Sequence, residues 1–257
     1  MNDAILKVST HGHIGIVELN KPPHNFFDQT LIATLADAWE KFEADKNIRA
    51  IVLCANGKSF CAGADFSEKS TMNKKRSIKQ TNPLYLEALR LYACTKPVIA
   101  AIEGAAIGGG LGVALTADFR ISCPEARFAA NFNRLGFHPG FGLSFTLVHL
   151  IGKQNAAKLF YTGARIDGTS ALSLGLLDEL VPQSDVRARA MALAEEIAVS
   201  SPRAVQATRQ TLRGDFLDRV RLAVVRESEV QAVQMTTADL EEGVNAAKER
   251  RNPNFEG

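Results

Sequence analysis

Two short apolar-rich runs open the chain, Ile5–Thr10 and Ile14–Leu19, separated by "HGH" (11–13), and they predict a hairpin of two strands. The period then changes. Leu31, Leu35, Trp39 and Phe42 recur at helical spacing behind Asp28, which has the side chain of an N-cap. "IRAIVLCA" (48–55) is a continuous apolar run between polar flanks, the pattern of a strand buried on both faces. Residues 67–82 are polar and weakly patterned, reading as a loop or a solvent-facing helix start. "NPLYLEALRLYACT" predicts an amphipathic helix and "KPVIAAIEG" another buried strand. "DFRISC" and "ARFAAN" follow as strands around a "PEA" turn. From Phe145 onward helices dominate, with one further strand in "LLDELVP", and from about Asp185 the chain is nearly all helix and rich in arginine.

Strands and helices alternating over the first two-thirds predict an α/β layer architecture with a largely parallel sheet. A length of 257 residues accommodates one large domain, here with a helical C-terminal appendage. The composition, 46 % hydrophobic and 23 % charged, is that of a soluble globular protein, and a net charge of +2 argues against nucleic-acid binding by bulk charge. The first 20 residues lack the basic and apolar regions of a secretory signal. The longest uncharged stretch, Gly104–Ala117, is too short for a bilayer, so no membrane association is expected. Cys54, Cys61, Cys94 and Cys123 form no CxxC pair, which predicts reduced thiols in a cytoplasmic protein rather than a metal or disulfide framework.

Two familiar phosphate motifs fail on spacing. "GKS" (57–59) would need glycine at 52 for a P-loop, and Val52 stands there. The triple glycine of "EGAAIGGGLGVAL" (103–115) lacks the GxGxxG arrangement of a dinucleotide site. Among the histidines, His11 and His13 read as an exposed turn, His149 as a core residue, and His24 is open to either role. His138, in the glycine- and proline-pinned loop "LGFHPGFG", is divided between a functional and a structural reading. The glycines at 108–110 have a different use. Free N–H groups at a glycine-rich helix start favour negative charge, and "FCAGADF" (60–66) offers a second loop of small residues after a buried strand. One N–H from each would make an oxyanion hole.

"KSFCAGADFSE" and "AAIEGAAIGGGLGVALTADFRIS", at this separation, resemble the two signature regions of the crotonase superfamily, the enoyl-CoA hydratase/isomerase family. The resemblance extends through "NKPPHNFFD", "TGARIDGTSALSLGLLDELVP" and "EGVNAAKERRNPNFEG". It implies a spiral of ββα units, with residues 1–195 as an acyl-CoA-binding core and 196–257 as a helical region that assembles homotrimers or dimers of trimers. Ala64 and Gly109 would supply the backbone N–H groups for a thioester oxygen. The segment from Ala62 through Ala64, Asp65, Phe66 and Ser67 would run beside coenzyme A, and Arg250 would meet its phosphates. Coenzyme A enters as part of the substrate; no separate cofactor is implied.

The resemblance also shows a departure. The two glutamate positions of the hydratases hold Gly112 and Phe132, and the aspartate position of hydrolases and some isomerases holds Gly140. A positioned acid or base typically contributes 10²–10⁴-fold, and neither glycine nor phenylalanine can act as one. The expectation is therefore an acyl-CoA enzyme, a lyase or isomerase, that stabilises a thioester enolate without ordinary hydration. Acyl-CoA decarboxylation or hydrolysis, or acyl-CoA binding without catalysis, are the alternatives. His138 is the first candidate for proton handling, then Asp65 and Glu68. Phe132 is expected to fill the space that Gly112 opens, giving an apolar pocket lined in part by both residues.

Overall fold

A computed structural model describes residues 4–64 and 80–257. The first hairpin pairs β1 (Leu6–His11) with β2 (Ile14–Leu19), antiparallel and closed through Gly12 and His13. They begin a six-stranded sheet in the order β1-β2-β3-β5-β7-β10, with every pairing after the hairpin parallel. Its central strands, β3 (Ala50–Ala55) and β5 (Val98–Ile102), are buried at every position, as a strand covered on both faces must be. β7 is Phe119–Ser122, and β10 shortens to Glu179–Leu180 within the run that predicted it.

Helix α1 (Gln29–Ala44) forms where the apolar spacing places it. Asp28 caps it, its carboxylate accepting from Leu31 N at 2.9 Å. Leu31, Leu35, Trp39 and Phe42 make the buried stripe. α2 (Pro83–Ala93) begins behind Asn82, whose side chain accepts from Leu84 N at 3.0 Å, and it packs along α1.

A second sheet, of order β4-β6-β8-β9, carries the loops that matter for function. β4 (Ser59–Cys61), β6 (Ala105–Ile107) and β8 (Arg127–Ala129) run parallel, while β9 (Arg165–Asp167) closes the edge antiparallel. Short helix α3 (Gly109–Ala114) starts directly beyond β6. α4 (Leu143–Ile151), α5 (Lys153–Thr162) and α6 (Gly168–Ser173) follow, then α7 (Val186–Ala198), α8 (Pro202–Arg213), α9 (Phe216–Gln234) and α10 (Ala238–Glu249). α9 packs on α2 and α4, and α10 on the 3-10 turn Phe132–Leu135. Among the described residues no helix is long and apolar enough to cross a membrane.

His149 departs from its expected core position. It is exposed on α4, its ring 5.4 Å from Phe145 and 5.5 Å from Phe216, because the inward stripe of that helix is taken by Leu143, Thr146 and Leu147.

Candidate active site

The carboxyl ends of β4 and β6 deliver two loops to one place. After Cys61 the backbone of Ala62–Ala64 is stitched to the segment 24–27. Ala62 N donates to His24 O at 2.9 Å and Phe27 N to Gly63 O at 3.0 Å, with a bridge from Phe27 to Ala64. That segment is itself held by Asn25, a buried residue at φ +50°, a conformation that asparagine tolerates better than most side chains. Its Nδ2 donates to Asn56 O and Ser59 O, each at 2.8 Å, and its Oδ1 accepts from Lys21 N. Cys61 Sγ donates to Asn25 O; burial pushes that thiol up to about 12, so it stays protonated and inert.

The glycines of the second loop have distinct causes. Gly108 turns the chain at φ +56° while its N–H donates to Ala129 O at 2.8 Å. A β-carbon on Gly109 would overlap the ring of Phe27, and one on Gly110 would overlap the Cys61 carbonyl. The absent side chains thus let α3 pack against β4 and its following loop. The N–H groups of Ala64 and Gly109 have no backbone acceptor among the described residues.

Both loops face a cavity of about 200 Å³. Ala62, Ala64 and Gly109 line one side; Phe27, Phe132, Phe137 and Phe141 line the rest with aromatic rings. Phe27 and Phe141 pack at 5.7 Å between centroids, and Phe132 meets Phe137 edge to face at 5.6 Å. Tyr85 and Asn131 bring the hydrogen-bonding side chains. Among the described residues the lining holds no carboxylate, imidazole, amine or guanidinium.

Gly112 is covered by Phe141, not by Phe132: a β-carbon there would lie 2.7 Å from Phe141 Cδ1. At Gly140 a side chain would run into the Tyr85 hydroxyl and lie 2.7 Å from Gln231 Nε2. His138 is not brought to the cavity lining. Its backbone N–H donates to Gln234 Oε1 and its Nδ1 lies 2.7 Å from Pro139 O. Arg250 is exposed at the end of α10, with φ +57°, away from the lining. The expectations on Asp65, Phe66, Ser67 and Glu68 lie outside the described residues.

Sequence reasoning missed the groups that fix this site. One face of α9 presents Glu227, Ser228, Gln231 and Gln234, a polar set at helical spacing that was visible as a pattern but not as a contact. Glu227 accepts from Gly142 N at 2.7 Å, Ser144 N at 2.9 Å and Ser144 Oγ at 2.6 Å. Burial pushes its carboxyl up to about 7 against the opposing pull of these donors. Gln231 Nε2 donates to His138 O at 2.7 Å, and Ser228 Oγ accepts from Asn82 N at 3.1 Å. α9 therefore clamps the loop that carries Phe141 and the start of α2 that carries Tyr85.

The sequence profile of the enoyl-CoA hydratase/isomerase family matches residues 9–257. The chain is 31 % identical over 253 residues to the 2,3-dehydroadipyl-CoA hydratase of Escherichia coli, covering 98 % of each chain. It is 32 % identical over 256 residues to the short-chain-enoyl-CoA hydratase of Clostridium acetobutylicum, covering 98 % of this chain and 96 % of that one. Its fold is similar to the crystal structure of an enoyl-CoA hydratase/isomerase from Pseudoalteromonas atlantica, with a TM-score of 0.88, 30 % identity and coverage of 98 % and 99 %.

Proposed function

Because the chain belongs to the enoyl-CoA hydratase/isomerase family, a family of acyl-CoA enzymes, we propose that it binds an acyl-CoA thioester with the carbonyl oxygen on the N–H groups of Ala64 and Gly109. The observation that carries this reading is that two amides without a backbone acceptor among the described residues stand on two loops lining one apolar cavity. Donors fixed before the substrate arrives stabilise charge that develops on the oxygen, and one such donor is worth roughly 10²–10³ in rate. Coenzyme A extends from Ala62–Ala64, and Arg250 meets its phosphates. The 2,3-dehydroadipyl-CoA and short-chain-enoyl-CoA named for two relatives support a CoA thioester as the substrate class.

The reaction stabilises a thioester enolate and is not ordinary hydration. Adding water across a double bond needs an acid and a base beside the reacting carbons, and the described lining holds neither carboxylate nor imidazole. Loss of carbon dioxide from a carboxylate borne on the α-carbon fits that lining better, since breaking that C–C bond leaves its electron pair as the enolate without a base and converts a charged group into an apolar product.

The test is a screen of short enoyl-, α-carboxyacyl- and saturated acyl-CoA thioesters for turnover, run beside binding of the same compounds. Turnover that falls about 10²-fold or more in a folded Ala64→Pro variant supports the reading. Binding with every thioester left unchanged overturns catalysis and favours a non-catalytic acyl-CoA-binding protein.

A further inference from the structure

The reading of the site as an enolate-stabilising one leaves open where the proton for the α-carbon comes from. Resting on that reading, we propose that Tyr85 delivers this proton, with Gln231 holding its hydroxyl in place. Among the described residues lining the cavity, hydrogen-bonding side chains are those of Tyr85 and Asn131. A carboxamide neither releases nor takes up a proton in neutral water; a phenol can. The choice between the two follows from chemistry.

The structure goes to some length to place this hydroxyl. Tyr85 lies in the first turn of α2, where Asn82 caps Leu84 N and is itself tied through its own N–H to Ser228 on α9. The Tyr85 hydroxyl donates to Gln231 Oε1 at 2.7 Å. Gln231 cannot turn its amide over without losing the bond from Nε2 to His138 O, so its acceptor stays pointed at Tyr85. Gly140 completes the arrangement, since any side chain there would take the space of the hydroxyl. A phenylalanine at 85 would fill the same volume and require no partner on α9.

The step balances without a further reactant other than water. The Tyr85 O–H turns from Gln231 toward the α-carbon; the O–H bond breaks and a C–H bond forms. The enolate collapses to the thioester carbonyl, and its charge leaves the Ala64 and Gly109 amides for the phenolate. Water then returns a proton to Tyr85, and the hydroxide left joins the released carbon dioxide as bicarbonate. A thioester enolate is far more basic at carbon than a phenolate, so the transfer runs downhill in this direction. In reverse a phenol is a poor base, which pairs Tyr85 with reactions that generate the enolate by another route.

Exchange of the α-hydrogens of butyryl-CoA in deuterium oxide, followed by mass spectrometry across pH 6–10, reads this step in isolation. Wild type should incorporate deuterium at a measurable rate. Tyr85→Phe should slow exchange by about 10²-fold, while butyryl-CoA affinity, read by calorimetry, stays within about 3-fold, a change of under 1 kcal/mol. Gln231→Leu keeps the phenol and removes its anchor; it should lower the rate and move the pH profile, which a packing role for Gln231 would leave in place. A folded Tyr85→Phe variant that exchanges like wild type overturns the role of Tyr85 and leaves the oxyanion reading standing. Wild type that binds butyryl-CoA and exchanges nothing at any pH also overturns the role of Tyr85, while the oxyanion reading is judged separately by turnover in Ala64→Pro.

Discussion

Phe141 lies on Gly112 so closely that a β-carbon at 112 would be 2.7 Å from its Cδ1 and 2.9 Å from its Cβ. The two residues are complementary, one supplying the space and the other the ring. Phe141 holds an uncommon left-handed conformation at φ +64°, followed by Gly142 at φ +78°. The Tyr92 hydroxyl, 3.1 Å from Phe141 O, and Glu227 on Gly142 N keep it there. In an ordinary helix Gly112→Ala would gain up to about 1 kcal/mol from propensity. Here the overlap should reverse that sign and destabilise by about 1–2 kcal/mol. Urea melts of Gly112→Ala, Phe141→Ala and the double variant test it, with the double variant expected to lose less than the sum. A stabilised Gly112→Ala would mean that the ring does not occupy this space.

Glu227 makes stability depend on pH. Its carboxyl is raised to about 7 from an ordinary 4.5, chiefly by burial. The folded protein therefore holds a proton that the unfolded chain gives up above pH 4.5. The contribution is full below that pH, declines as pH rises, and is gone above about 7. Glu227→Gln removes the titration. Its melting temperature should be lower than wild type at pH 5, because an amide nitrogen must face one of three donors, and it should change less between pH 5 and 7.5. Equal slopes for the two proteins would assign the pH dependence elsewhere.

The contrast between α1 and the Phe141 loop shows what was legible in the sequence. Asp28, the stripe through Phe42 and the buried run that became β3 are local patterns, and each element stands where its pattern put it. The two glycine loops were legible as backbone features, and the structure brings Ala64, Gly109 and Phe132 to one cavity. Phe141 was not legible, because a left-handed phenylalanine has no sequence signal and is held by residues far along the chain. Tyr85 and Gln231 lie 146 positions apart, and "NPLYLEALRLYACT" gives the helix but not the partner of its tyrosine. His138 drew attention through its glycines, which in the structure serve the packing of that loop against α9 and α10.

His138→Ala should therefore leave turnover within about 3-fold, well short of the 10²-fold or greater loss expected for a positioned acid or base. The pH–rate profile should keep its shape. A loss of 10²-fold with substrate affinity retained would return His138 to the chemistry.

The C-terminal helices leave large apolar side chains uncovered. Val220 and Val224 are buried within the chain, yet Leu212 is 82 % and Leu222 72 % exposed, and α8 has no buried residue. Exposed leucines on these helices favour association. A trimer or hexamer is expected by sedimentation at micromolar concentration, and replacing Leu212 and Leu222 with glutamate should shift it toward monomer. A monomeric wild type would set the expectation aside.

Crotonyl-CoA separates retained binding from lost hydration. The cavity can take a short apolar acyl group, and the two amides can take its carbonyl oxygen, so binding should survive. Hydration has a further requirement, a water held and deprotonated beside the β-carbon and a proton delivered to the α-carbon. Tyr85 is proposed above for the proton, but the walls beside the β-carbon are the rings of Phe132 and Phe141, which offer no partner for a water. With the water-activating base missing, hydration should run at least about 10²-fold below that of a relative carrying glutamates at both positions. Restoring the pair as Gly112→Glu with Phe132→Glu should not recover it, because Phe141 blocks the first carboxylate. A triple variant with Phe141→Gly opens that space and accommodates the positive φ. Two buried acids without partners then face the desolvation that already raises Glu227, so any recovered rate should appear toward higher pH. The loss of enoyl-thioester absorbance with purified wild type is the deciding measurement. Rapid hydration would place a competent acid–base pair in the pocket and overturn the proposed loss of hydration.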